Sequence, residues 1–130
     1  MHRKRVEVLL RRSERFLEDA ARALEDGFYD LAIFYSEQAS QLALKALILD
    51  LLGFHPEIHG IRELLGIYYS ATGDEEARLL ASRLRKTLAE MERAYTEARY
   101  GPEEYDEDIA SESLSAAQEI IAFVKSRIQQ

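Results

Sequence analysis

Residues 23–47 read "ALEDGFYDLAIFYSEQASQLALKAL". Asp26-Gly27 closes whatever precedes it, because a helix commonly ends on a glycine. A second helix starts near Phe28 and runs to about Leu52. Its apolar residues (Leu31, Phe34, Tyr35, Ala39, Leu42, Ala46 and Leu49) cover a broad face rather than a narrow stripe. A helix that apolar needs neighbours on several sides, so it is expected at the centre of an all-helical protein.

The rest of the chain is consistent with that centre. Before Gly27, the residues Val6, Leu9, Leu10, Ser13, Phe16, Leu17, Ala20 and Leu24 recur at three and four, the period of one helix face. After Leu52, Gly53 suits a C-terminal cap and Pro56 delays the next helix. A short third helix is expected over 58–70, loosened by Gly60 and Gly66. Asp74 can cap a fourth, with Glu75 and Glu76 in its first turn. The stripe Ala77, Ala81, Leu84, Leu88, Met91, Tyr95 and Ala98 predicts that this helix is unbroken as far as Arg99. Gly101-Pro102 then ends it. A fifth runs from about Asp106 to Ile128 on Ile109, Ser113, Ala116, Ile120, Val124 and Ile128. No strand pattern is present. The expected fold is therefore all-α: an up-and-down four-helix bundle with a short additional helix, in one domain over residues 1–130. A tetratricopeptide array would need about three repeats of roughly 34 residues, and Gly27-Phe28-Tyr29 does not recur.

Composition limits function. The chain has 130 residues, 47% of them hydrophobic, and a net charge of −7. That supports one core. The most apolar run, "LALKALILDLLGF" (42–54), is interrupted by Lys45 and Asp50, so no membrane span is expected. With no cysteine, disulfides and thiolate metal sites are excluded. "MHRKRVEVLLRRSERF" (1–16) is too charged for a secretory leader, which suits a cytoplasmic protein. Charge is uneven. Arg3, Lys4, Arg5, Arg11, Arg12 and Arg15 crowd the first helix, and Glu103, Glu104, Asp106, Glu107 and Asp108 form an acidic block. Both can be solvated faces, or the basic one can be a groove for a phosphate-bearing ligand.

Chemistry-bearing motifs are few. His55 and His59 are four apart, but Pro56 lies between them, and no metal set is expected. Neither a phosphate loop nor a nucleophile elbow appears, and no cofactor is implied. The stretch "AYTEARYGPEEYDEDI" (94–109) is the best candidate. Tyr95 and Arg99 are four apart on one helix face, and Tyr100 follows. Arg99 can complement the helix dipole, or its fork can bind phosphate beside an aromatic face. Gln38 and Lys45, seven apart, share a face of the central helix. His59 caps or packs the third helix, or faces a cleft near Arg62.

Four segments together resemble the HEPN domain family: "DAARALEDGFYDLAIFYSEQASQLALKALIL" (19–49), "GFHPEIHGIRELL" (53–65), "AYTEARY" (94–100) and "AQEIIAFVKSRI" (117–128). The resemblance implies a helical bundle that works as a homodimer, often beside a minimal nucleotidyltransferase. Many members are metal-independent ribonucleases of toxin–antitoxin or other defence systems, whose site pairs an Arg with a His about four to six residues on. No Arg stands at that spacing before His55 or His59, and no His follows Arg99. The chain is thus more similar to stand-alone, non-nucleolytic members. What carries over is Tyr95, Arg99 and Tyr100, with Gln38, Lys45 and His59 as weaker matches. Three readings stay open. The first is a nucleotide- or RNA-phosphate-binding module. The second is a ribonuclease toxin with a deviant site. The third is a structural partner that binds protein alone.

Overall fold

The computed structural model describes residues 2–57, 60–97 and 104–128. Among the described residues six helices follow one another: α1 (Arg3–Glu25), α2 (Tyr29–Leu52), α3 (Ile61–Thr72), α4 (Glu75–Arg83), α5 (Arg85–Glu97) and α6 (Glu107–Ile128). No strand occurs among the described residues. α1 and α2 form an antiparallel hairpin around Gly27, whose φ of 80° is the left-handed conformation that glycine adopts without strain.

α2 is the central helix, packed against α1, α3, α5 and α6. Its core side is broader than a stripe. Ile33, Leu44, Ile48 and Leu49 are fully buried, and so are Ser36, Ala39, Ser40, Ala43 and Ala46. Small residues recur on α6, where Ala110, Ser113, Ala116 and Ala117 are buried. Short side chains on both helices let their backbones approach closely. Leu31, expected inside, is exposed, because the turn at Phe28 sets the helix so that Ala32 and Ile33 face the core.

Two expectations about helix limits are corrected. The third helix begins at Ile61 rather than 58, because Gly60 is held extended (ψ 169°) as its N-cap. The fourth helix is not continuous. It turns at Leu84 (φ −95°, ψ 3°), although Leu84 N–H still bonds to Leu80 O and Leu88 N–H to Leu84 O. No proline or glycine lies there. The turn follows the change of neighbour: α4 packs on α3, whereas α5 packs on α2, α3 and α6.

Asp74 caps α4 as its position suggests, accepting from Glu76 N–H at 3.2 Å. It does more. It also accepts from the Tyr68 hydroxyl at 2.7 Å and from Arg127 Nε at 2.7 Å, so one carboxylate ties α3, α4 and α6 together. Hydrogen bonding from Arg127 is the main reason that the Asp74 pKa falls from 3.8 to about 2. Asp106 caps α6 through Ile109 N–H at 2.9 Å.

Candidate binding cleft

Between α2, α3 and α5 lies a cleft of about 390 Å³. It is lined by Glu37 and Gln41 of α2, by Glu57 and Gly60 of the turn before α3, by Glu63, and by Glu92, Tyr95 and Thr96 of α5. Glu37 is the unusual member. It is 1% exposed, on the buried phase of α2 with Ile33, Ser40 and Leu44. A carboxylate taken out of water needs donors. Gln38 Nε2 donates to Glu37 Oε1 at 3.0 Å, and Gln41 Nε2 donates to Oε2. Burial nonetheless raises the Glu37 pKa, with the two amides and Lys45 opposing it.

Glu92 builds the opposite wall. Its Oε2 accepts from the backbone N–H of Arg62 at 2.9 Å, and its Oε1 from Arg62 Nε and Nη2 at 3.1 and 3.0 Å. The carboxylate thus caps the exposed N-terminus of α3, where backbone N–H groups lack partners, and it clamps the guanidinium of the same residue. A Cβ on Gly60 would lie 3.0 Å from Glu92 Cδ. The glycine is therefore what allows the acid to sit over the helix end.

The candidate residues named from sequence divide into three groups. Tyr95 lines the cleft, half-buried, with its ring stacked on Phe34 at 5.5 Å and 9°. Gln38 and Lys45 stand behind it. Gln38 holds Glu37, and Lys45 Nζ donates to Glu57 O at 2.6 Å, fixing the turn before α3. Burial lowers the Lys45 pKa, and Glu37 and Glu57 oppose that shift. Arg99, Tyr100 and His59 lie outside the described residues. The sequence reading missed Glu37, Gln41 and Glu92. One signal was available for Glu37: residues 33, 37, 40 and 44 share a helix face, and an acid there is inside.

The cleft's chemistry is that of an acceptor. Among the described residues its lining holds four carboxylates, and no lysine or arginine. It suits a ligand edge carrying N–H groups better than a bare phosphate. Among the described residues no group of three or more acids or histidines is placed to hold a metal ion. No helix there is long and apolar enough to cross a membrane.

Comparison with known proteins agrees with this architecture. The family model described as HEPN domain matches residues 6–127. Among solved structures, the chain is similar to ST0689, an archaeal HEPN homologue. That match has 28% identity and a TM-score of 0.72, and covers 95% of this chain and 97% of the other. It is also similar to TT1696 from Thermus thermophilus, with 27% identity and a TM-score of 0.71, covering 95% and 98%. No curated protein matches. With the family model covering nearly the whole helical bundle, the chain belongs to the HEPN domain family.

Proposed function

We propose that this HEPN protein is a nucleotide- or RNA-binding module, and that its ligand enters the cleft between α2, α3 and α5 by the base. The observation that carries this reading is Glu37. A carboxylate has about four acceptor positions, and Gln38 and Gln41 use two of them. Glu37 is itself part of the lining of the cleft, together with Tyr95 and Thr96. Guanine, cytosine and adenine each present an amino group that a carboxylate can accept from. Uracil flanks its single N–H with two carbonyl oxygens, which a carboxylate repels. The acid lining keeps phosphate outward. Arg99 and Tyr100, four and five residues beyond Tyr95 in sequence, supply its fork and stacking face in this proposal.

The module acts as a homodimer beside a nucleotidyltransferase, in a toxin–antitoxin-like pair. Support for a dimer comes from Phe28 and Leu31, 56% and 42% exposed at the start of α2. Single exposed apolar residues are ordinary, but an adjacent pair on one helix turn fits an interface. Tyr29, Phe34 and Tyr35 are half-buried, with Phe34 on Tyr95 and Tyr35 on Phe16. Calorimetry with the four nucleoside monophosphates tests the reading. GMP, CMP or AMP should bind, and UMP should bind least. Equal affinity for all four, or none, contradicts base recognition by Glu37. Cleavage of RNA in the presence of a chelator would favour the ribonuclease alternative.

A further inference from the structure

We propose a second binding site, for single-stranded nucleic acid, at the corner where the start of α1 meets the turn after α2. A pocket of about 290 Å³ lies there, lined by Lys4, Arg5, Val8, Leu9, Arg12 and His55. Three cations and a histidine surround an apolar floor, and no acid lines it among the described residues. In a chain of net charge −7 that is a strong local reversal.

The acids of the same helix segment are engaged elsewhere. Glu7 pairs with Arg3 at 3.7 Å, and Glu14 pairs with Lys125 of α6 at 2.8 Å. Lys4, Arg5 and Arg12 have no ion pair among the described residues, so their charge is available to a ligand. Phe54, next to His55 in the chain, is 61% exposed. Cations combined with an exposed aromatic residue adjacent in the chain to the pocket's His55 suit a single strand, with phosphates on the cations and a base on the ring. A lipid surface is a weaker occupant, because these cations line a concavity rather than a projecting face. A duplex is also disfavoured, since the long acidic remainder of the surface repels an extended polyanion.

This site does not depend on the acid-lined cleft, and the two separate experimentally. The probe is a fluorescently labelled RNA strand of about eight nucleotides, within the usual span of a single-strand site. Wild-type protein should bind it with a log–log salt slope of roughly −2, as expected for about three phosphates. Arg5→Glu/Arg12→Glu should weaken binding at least about tenfold, and Phe54→Ser about fivefold or more, the low end of the loss of one stacked base. Both substitutions are at exposed positions, and thermal melts should stay close to wild type. The Arg5→Glu/Arg12→Glu variant should still bind GMP as wild type does, since neither residue lines the acid-lined cleft. Strand binding that is absent, insensitive to salt, or unchanged in either variant overturns the proposal. So does equal competition by a glutamate-rich peptide, or binding of anionic phosphatidylserine vesicles in preference to the RNA.

Discussion

Glu92 Oε2 accepts the backbone N–H of Arg62 at 2.9 Å while Glu92 Oε1 receives the side chain of the same residue. One carboxylate is thereby both the cap of α3 and half of an ion pair. The two roles differ in weight. Arg62 is about half exposed, so the charge pair alone is worth little. The cap satisfies a backbone group that has no other partner among the described residues, a loss that typically costs ~1 kcal/mol. Arg62→Ala is therefore expected to lower stability by ~0.5 kcal/mol, and Glu92→Ala by ~1–2 kcal/mol, in urea unfolding. Equal losses would show that capping contributes nothing.

Gly60 is linked to that cap. Gly60→Ala brings a methyl to within 3.0 Å of Glu92 Cδ and must displace the carboxylate. The two substitutions should be non-additive: Gly60→Ala destabilises the wild type, but much less so when residue 92 is already alanine. A double-mutant cycle with no coupling would contradict the contact.

Stability at low pH should depend on Asp74. Its folded pKa of about 2 lies below the ordinary 3.8. The folded state therefore binds this proton less readily than the unfolded chain. The contribution is fully present above pH 3.8 and is lost as pH falls through 2. After allowance for solvent screening it is ~1–2 kcal/mol. Asp74→Asn should lower the midpoint at pH 7 and flatten the pH dependence of stability between about pH 4 and 2, measured by urea unfolding across that range. An unchanged profile would separate Asp74 from acid unfolding.

The exposed pair Phe28 and Leu31 gives a prediction for assembly. Light scattering at micromolar concentration should report a dimer for wild type and a monomer for Phe28→Asp/Leu31→Asp, with helical content unchanged. A wild-type monomer would remove the homodimer from the account.

The fold was largely legible because its punctuation is local. Gly27, Gly53 and Gly73 take the left-handed conformations that end helices, and Asp74 and Asp106 cap the ones that follow. The turn at Leu84 left no such mark. The apolar rhythm passes through it undisturbed, since both halves bury residues on the same phase while packing on different neighbours. The site was less legible. Tyr95 could be placed by its stripe and Lys45 by its isolation in an apolar helix. Glu37 was hidden because a glutamate in a helix ordinarily faces water. Here its charge is held by the amides of residues that flank it one and four positions on. Glu92 was out of reach for another reason: its partner is 30 residues away, with most of α3 and all of α4 between them.

Burial raises the pKa of Glu37, so the ionised form is disfavoured by folding. With a folded pKa above the unfolded one, its contribution to stability is greatest at low pH and declines as pH rises through the folded value. A buried acid whose charge opposes folding needs another account, and under the proposed function that account is base recognition. Glu37→Gln keeps the shape, removes the charge and isolates the two effects. The decisive measurement pairs thermal melting at pH 7 with calorimetric titration of GMP, for wild type and Glu37→Gln. The account predicts a melting temperature at or above wild type, together with a loss of about 1.5–3 kcal/mol in GMP affinity, the scale of hydrogen bonds to a charged group. A variant that melts well below wild type and binds GMP as wild type does would make Glu37 a structural residue and contradict the cleft's assignment.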